Sequence, residues 1–538
     1  MLVVAAGALA GCEGTAHTVS RPARPNVVVI IADSLRADRL RPFDPGGVPV
    51  PALERLARRG TLFRNAWAAA PWTAPSVVSI FTGLYPPSHG VAFRDDTTSE
   101  TLPTLPRLLA ARGYRLGNFA FFSGVSYFRN LGFPEPEPGV GHESMGANFR
   151  HWAAGAEPFC AWVHLIETHL PYGATGYSAP QVKVHGSSGL EAAQLHAEVP
   201  VGSVTFVTGD AEKLRALYDQ DVASMDAAVR EVMAAIEAAG QTQRTIVVFV
   251  ADHGEELLDH GWIGHASTAL KAKLVPEILH VPLILAGPGV PRGALTDALV
   301  GQVDILPTLC RLTGVPAPRP LDGAPLLPPG RSVRSFAFFD SSAGGNLTPD
   351  TQRGERLQGV TDGRWLLAVH LGGNAPEATF DPVSDSRLPP PASLEGRLDR
   401  ELARWQKRQS KQRLTLLAGG APTRLPPEAE LAAFAHGITV RAPASGVSLG
   451  HAAAGGQIVL EWEGPGAPFA VQYEVGSGVT RVRGAFTVQT GRVVFGPFPE
   501  GFWNDLANHS PFRFRVLSLE ARTRSEWVEF RLVPSGER

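Results

Sequence analysis

Two uninterrupted apolar runs, Asn26-Val-Val-Val-Ile-Ile-Ala32 and Thr245-Ile-Val-Val-Phe-Val-Ala251, constrain this chain more than any other feature. Runs of that length and β-branched content read as buried strands. Each leads straight into residues able to hold a metal: Asp33 after the first, Asp252 and His253 after the second. Elsewhere in the first 330 residues apolar strands alternate with amphipathic helices, the signature of βα units and a parallel sheet. Open α/β sheets place their chemistry at the carboxyl ends of such strands. The expected fold class is therefore α/β, with a mostly parallel central sheet flanked by helices.

Helix punctuation fits this pattern. Pro51–Arg59 reads as a short helix stopped by Gly60, and 103–112 repeats the design with Gly113. Segments 116–122, 158–165 and 281–286 read as further strands. A long helix from about Glu212 to Ala239 carries Leu214, Val222, Met225, Val229 and Ile236 at helical spacing. Asp304–Leu312 gives another helix. From 331 to 418 the texture suits a small α+β subdomain, with strands at 336–339 and 364–369 and a closing helix at 394–408. Arg387-Leu-Pro-Pro-Pro391 reads as a loop. From 422 to 538 six short strand candidates alternate with Gly, Pro and Asn turns, the spacing of a β-sandwich. The expected core therefore spans 25–330. The hydrophobic fraction of 44% is that of a globular protein. A net charge of −2 without basic blocks excludes a nucleic-acid partner.

Three cysteines cannot build a disulfide framework. Cys160 and Cys310, in apolar runs, read as buried hydrophobes. Cys12 closes Leu9-Ala-Gly-Cys12 after an apolar start, a tetrapeptide that resembles a bacterial lipobox, with 13–24 as a small, polar tether. No Lys or Arg precedes the apolar run, a departure from the usual signal peptide. The expectation is a lipid-anchored, extracytoplasmic protein of a bacterial envelope, tied to the membrane through Cys12.

The chemistry-bearing residues gain meaning from one another. Asp33 alone reads as a turn or N-cap residue. Asp252-His253 sets a hard and a borderline metal ligand side by side, and Gly254 is expected to let the chain turn sharply after them. Thr73, in Trp72-Thr-Ala-Pro-Ser76, precedes a helix whose apolar face is Val77, Val78, Ile80, Phe81 and Leu84. Its place at a helix N-terminus favours an anion, although a plain N-cap threonine fits too. His169 and His265 each read alone as loop histidines. Near a metal, His265 becomes a candidate anion binder or leaving-group acid, and His169 a candidate catalytic residue.

In order, these segments resemble the sulfatase branch of the alkaline phosphatase superfamily. Asn26–Asp38 resembles its first metal-binding strand, and Thr73-Ala-Pro-Ser76 with Phe81-Thr-Gly-Leu-Tyr-Pro-Pro-Ser-His-Gly90 its nucleophile helix and following turn. Trp162-Val-His-Leu…His169-Leu-Pro-Tyr172 resembles its substrate-side histidine segment, and Tyr218…Asp226 its central helix. Asp252-His-Gly-Glu255, His280-Val-Pro-Leu-Ile284 and Gln302-Val-Asp-Ile-Leu-Pro-Thr308 complete the landmarks. The resemblance implies an alkaline phosphatase/sulfatase-like core and a metal site of Asp33, Thr73, Asp252 and His253.

The departures bear on mechanism. Sulfatases of this fold carry Cys or Ser, oxidised to formylglycine, at the position of Thr73, and an Arg where this chain has Val77. Threonine cannot yield that aldehyde. Phe121-Phe-Ser-Gly-Val-Ser126 replaces an expected Lys and His, and Ser34 replaces a second Asp. A metal-activated Thr73 hydroxyl suits phosphoryl transfer better than sulfuryl transfer. The expected cofactor is a divalent cation, with Mn²⁺ or Zn²⁺ favoured by the imidazole and Ca²⁺ an alternative. Glu167, His169 and His265 are candidates for a second metal site or for direct anion binding. The expected partner is a phosphate- or sulfate-ester substrate, borne on a glycan or envelope component. Two alternatives stand beside it: a true sulfatase without formylglycine, and an inactive sulfatase fold that binds ligands. Mass spectrometry of protein from its native membrane should show diacylated Cys12 as the mature N-terminus; an intact Met1 would remove the anchor.

Overall fold

A computed structural model describes residues 24–93, 96–120, 128, 130–137, 145–154, 158–170, 172–173, 209–259, 263–265, 274–328, 334–342, 356–371, 376–380, 392–418, 420–423, 425–476, 482–496, 500–508 and 510–535. The lipobox and tether, the Phe121–Ser126 stretch and the Arg387–Pro391 loop lie outside the described residues. Among the described residues, no helix is long and apolar enough to cross a membrane.

The core sheet is built from Asn26–Ala32 (β1), Gly60–Trp67 (β2), Arg115–Ala120 (β3), Phe159–Leu165 (β4), Thr245–Ala251 (β5), His280–Ala286 (β6), Ala294–Thr296 (β7) and Val300–Gly301 (β8). Its order is β8-β2-β6-β5-β1-β4-β3, with β7 beside β2. β3, β4, β1 and β5 pair in parallel. Only β6 runs against the others, antiparallel to both β5 and β2. The mostly parallel α/β sheet expected from the sequence is therefore present. Val27 to Ile31 are wholly buried, which is what continuous apolar strands require. Each such side chain contributes roughly 1.5–3 kcal/mol by leaving water.

The longest core strand hidden from the sequence pattern is β2. Gly60, read as a helix stop, also begins β2, where a Cβ would collide with the Leu285 carbonyl oxygen of β6. Arg64 and Asn65 break the apolar run of β2 and coincide with a register shift against β6. The long helix runs Asp210–Ala238, close to its expected bounds. Its buried Asp226 accepts the backbone N–H groups of Ala52 and Leu53, at the start of the Pro51–Arg58 helix. A negative charge is favourable there. Cys160 and Cys310 are buried, and burial pushes the Cys310 thiol up to about 11.

Downstream, a four-stranded antiparallel sheet joins Ala337–Ser342, Arg356–Thr361, Leu366–His370 and Pro376–Phe380. The closing helix, Ala392–Leu417, is longer than the pattern predicts. Its Leu398, Leu402 and Trp405 pack with Phe338 and Leu367 of that sheet and with Tyr85 and Val303 of the core. Beyond it, an eight-stranded and a three-stranded sheet share an apolar cluster that includes Trp462, Phe469, Val471 and Phe514. Buried Trp503 joins that cluster from Glu500–Ala507, a helix the sequence pattern did not reveal.

Arg36, buried just past β1, ties the strand-end turns together. It donates to Asp38 at 2.9 and 2.7 Å, to Asp259 at 2.5 Å and to the Glu255 carbonyl at 3.2 Å. Arg215 also donates to Asp259, at 2.9 Å. Burial works to raise the Asp259 pKa, but the charge and hydrogen bond of Arg36 override it and hold the carboxyl at about 2. A depressed carboxyl stabilises the fold fully above its unfolded value near 4 and loses that contribution as pH falls toward 2. Asp259→Asn should therefore cost about 2 kcal/mol at pH 7, with the gap to wild type narrowing below about pH 4. Urea midpoints at pH 7, 4 and 3 check this; a gap independent of pH would exclude the ion pair as its source.

Candidate functional site

The register of the sheet assembles the site. Ala32 of β1 lies opposite Ala251 of β5 and Leu165 of β4. Asp33, Asp252-His253 and the segment leading to His169 therefore leave the sheet at one edge. Asp33, Asp252 and His253 are fully buried, and one ligand atom from each lies within 4.8 Å of the others. Among the described residues this is the one such group of three. Glu167, His169 and His265 do not assemble a second.

Thr73 opens the Thr73–Thr82 helix, which Gly83 ends in the left-handed region. Its Oγ1 is 3.3 Å from His253 Nε2. The loop before it is held by Gln302, which accepts the Ala69 N–H at 2.9 Å and donates to the Ala251 and Asp252 carbonyls at 2.8 and 2.6 Å. Ser76 adds a bond to the Ala70 carbonyl at 2.8 Å. One glutamine thus locks the threonine loop to the end of β5.

His253 donates from Nδ1 to the Gly254 carbonyl at 2.8 Å. A carbonyl only accepts, so Nδ1 carries the proton and Nε2 presents a lone pair. Burial, with the neighbouring His265, pushes the His253 pKa well below its usual value, which keeps the ring neutral. This is the tautomer of an Nε2 metal ligand. Gly254 acts differently from the expectation. It has no positive φ; rather, a Cβ there would collide with the Glu277 carbonyl oxygen. The glycine provides close approach, and its N–H donates to Ile278 at 2.7 Å.

The two carboxylates are held differently. Asp252 Oδ1 accepts the N–H groups of Ser34 and His253 at 3.1 and 2.8 Å, while Oδ2 has no hydrogen-bond partner among the described residues. Burial and the adjacent Asp33 charge push the Asp252 carboxyl well above the usual range. Burial also opposes ionisation of Asp33, but His169 and His164 outweigh it and hold that carboxyl well below the usual range. Ser34 adopts φ 58, rare for a side-chain-bearing residue. Its carbonyl accepts from Tyr218 at 2.6 Å, and its hydroxyl donates to Asp33 at 3.0 Å. Two buried carboxylates, an orphaned carboxylate oxygen and an aimed imidazole lone pair fit a divalent cation.

Around this group stand His164, 3.3 Å from Asp33 through Nε2, and the ring of His265, centred 4.4 Å from that of His253. The His169 ring is 5.1 Å from that of His265. His265 bonds Glu255 through Nδ1 at 3.2 Å. Burial works to lower its pKa, yet the Glu255 charge and hydrogen bond raise it. Asp33, Thr73, Asp252, His253, His169 and His265 thus fall in one cluster. His164, Glu255 and Gln302 were given no individual role from the sequence, although all three stood within quoted motifs; His164 lies inside an apolar strand, where a histidine reads as core.

A family model described as Sulfatase matches residues 25–315. The chain is 28% identical over 291 residues to the low-salt glycan biosynthesis sulfotransferase Agl7 of Haloferax volcanii, covering 54% of this chain and 61% of that protein. It is 27% identical over 439 residues to arylsulfatase K of Homo sapiens, covering 70% and 76%. Among solved structures, the phosphonate monoester hydrolase of Agrobacterium radiobacter superposes with TM-score 0.56 at 20% identity, over 75% of this chain and all of that one. A 2-O GAG sulfatase gives 0.55 at 20% identity, over 73% and 93%. These structural likenesses establish a shared fold.

Calorimetric titration with Mn²⁺ should show binding to the wild type. Asp252→Asn and His253→Ala should each weaken it at least ~10-fold, the effect of losing even an outer-shell partner. Equal affinity in all three proteins would place the ion elsewhere.

Proposed function

Because the chain belongs to the sulfatase family, we propose that it is a metal-dependent ester hydrolase in which Thr73 is the nucleophile and phosphate esters are the preferred substrates. The carrying observation is the Thr73 hydroxyl, 3.3 Å from His253 Nε2 at the edge of the Asp33, Asp252 and His253 group. Asp33, Asp252, His253 and Thr73 would hold the cation, with Mn²⁺ or Zn²⁺ favoured. When bound, such an ion lowers the pKa of a hydroxyl and offsets charge on the ester oxygens.

The remaining work falls to the chain. Thr73, its proton lost to solvent, attacks phosphorus as the bond to the leaving oxygen breaks. His265 gives a proton to that oxygen, and the alcohol departs. Water then attacks the phosphothreonine, returning a proton to His265 and freeing phosphate and Thr73. His169, beside His265, faces the anion. The N-terminus of the Thr73–Thr82 helix favours negative charge at that point.

The residue type decides between esters. Threonine cannot become formylglycine, and a sulfated threonine would be harder to release than a phosphorylated one. Relatives bearing the names of glycan sulfatases and phosphonate hydrolases support an anionic ester, here read as borne on a glycan or envelope component outside the cytoplasm. Purified protein should hydrolyse aryl phosphate mono- or diesters with Mn²⁺ or Zn²⁺ faster than an aryl sulfate. Thr73→Ala should lower turnover at least ~1,000-fold while still binding Mn²⁺. Cleavage of sulfate alone would overturn the phosphoryl preference, and an active Thr73→Ala would remove the nucleophile.

A further inference from the structure

Glu256–Leu257 and Ile263–Gly264 form a small antiparallel hairpin, with Glu256 opposite Gly264 and Leu257 opposite Ile263. Extending that register by one residue sets Glu255 opposite His265, and their side chains meet at 3.2 Å. The backbone of Glu255 is fixed on both sides: its N–H donates to Glu277 at 3.1 Å, and its carbonyl accepts from Arg36 at 3.2 Å. Arg36 and Arg215 also pin the hairpin through Asp259. Gly264 takes φ 84, so the chain turns left-handed just before His265. The construction aims one imidazole.

We propose that Glu255 is a positioning residue for ester cleavage: it accepts the Nδ1–H of His265 and so presents Nε2 of that ring to the leaving-group oxygen. The inference rests on the ester-hydrolase reading above and extends it to a residue that touches no substrate. With Nδ1 engaged by the carboxylate, the transferable proton is the one on Nε2. The ring stands over His253, whose own Nε2 faces Thr73, so both nitrogens serve one reaction centre. As the bond from phosphorus to the leaving oxygen breaks, the Nε2 proton moves to that oxygen, and Glu255 keeps the Nδ1 proton in place.

Leaving-group dependence separates positioning from general structural support. p-Nitrophenyl phosphate expels a stable phenolate and needs little protonation, whereas n-propyl phosphate needs it fully. With the Mn²⁺-loaded full chain, Glu255→Ala and His265→Ala should each lower kcat/KM roughly 100-fold or more on the propyl ester. On the nitrophenyl ester the loss should be under ~10-fold. Glu255→Gln, which still accepts from Nδ1, should lose only about 10-fold on the propyl ester. The double alanine variant should be no worse than His265→Ala alone. Equal losses on both esters, additive losses in the double variant, or wild-type rates in Glu255→Ala would overturn the proposal. If wild type hydrolyses neither ester, the ester-hydrolase reading itself fails, and this inference with it.

Discussion

The parallel pairing of β1 with β5 sets two carboxylates, Asp33 and Asp252, side by side in a buried site. Like charges at such a distance in low dielectric cannot both persist without compensation. Much of the surrounding structure supplies it. Two backbone N–H groups reach Asp252, a hydroxyl reaches Asp33, and His169 and His164 weigh on the Asp33 charge. Even so, Asp252 Oδ2 is left without a partner among the described residues. A divalent cation would supply that compensation, with the neutral His253 lone pair as its third donor.

This constraint explains features that look unrelated along the chain. Ser34 sits in a rare backbone conformation because its N–H must reach Asp252 while its hydroxyl reaches Asp33. Tyr218, on the central helix, secures that turn by donating to the Ser34 carbonyl and accepting the Arg36 N–H at 2.9 Å. Strain of this kind persists where surrounding bonds over-determine it, and it clusters at functional sites. Arg36 then carries the restraint onward to the Glu255 carbonyl and to Asp259 in the hairpin.

Legibility in the sequence followed the range of the interactions. β1 and β5 were visible because five or more consecutive apolar residues need no partner to be recognised as buried. Asp33, Asp252 and His253 were visible as the residues that end those runs. β2 was not, because Arg64 and Asn65 interrupt it at a bulge whose partner lies over 200 residues away. His164 was quoted within a motif but drew no role of its own: it lies in an apolar strand where a histidine reads as core, and only pairing with β1 shows that it faces Asp33. Gly254 was recognised but for the wrong cause, since the Glu277 carbonyl against it comes from a distant segment. The Glu255–His265 contact depends on hairpin register, which short strands of two residues do not announce.

Ser34 finally bears on which ion suits the site. Where the resembled family has a second aspartate, this chain places a hydroxyl that donates to Asp33 instead of facing the cation. On the proposed reading the donor set would be two carboxylates, one imidazole and the Thr73 oxygen. Ca²⁺ takes six to eight oxygen ligands, and losing one carboxylate while keeping an imidazole disfavours it. Mn²⁺ and Zn²⁺ accept nitrogen, and a smaller, more polarising ion such as Zn²⁺ also acts more strongly on a hydroxyl. If Thr73 is the nucleophile, the same substitution would also leave one negative charge fewer beside it, which would ease the approach of a phosphate dianion. On the proposed reading, Ser34 and Thr73 would therefore act in one direction, toward a compact cation beside a hydroxyl nucleophile.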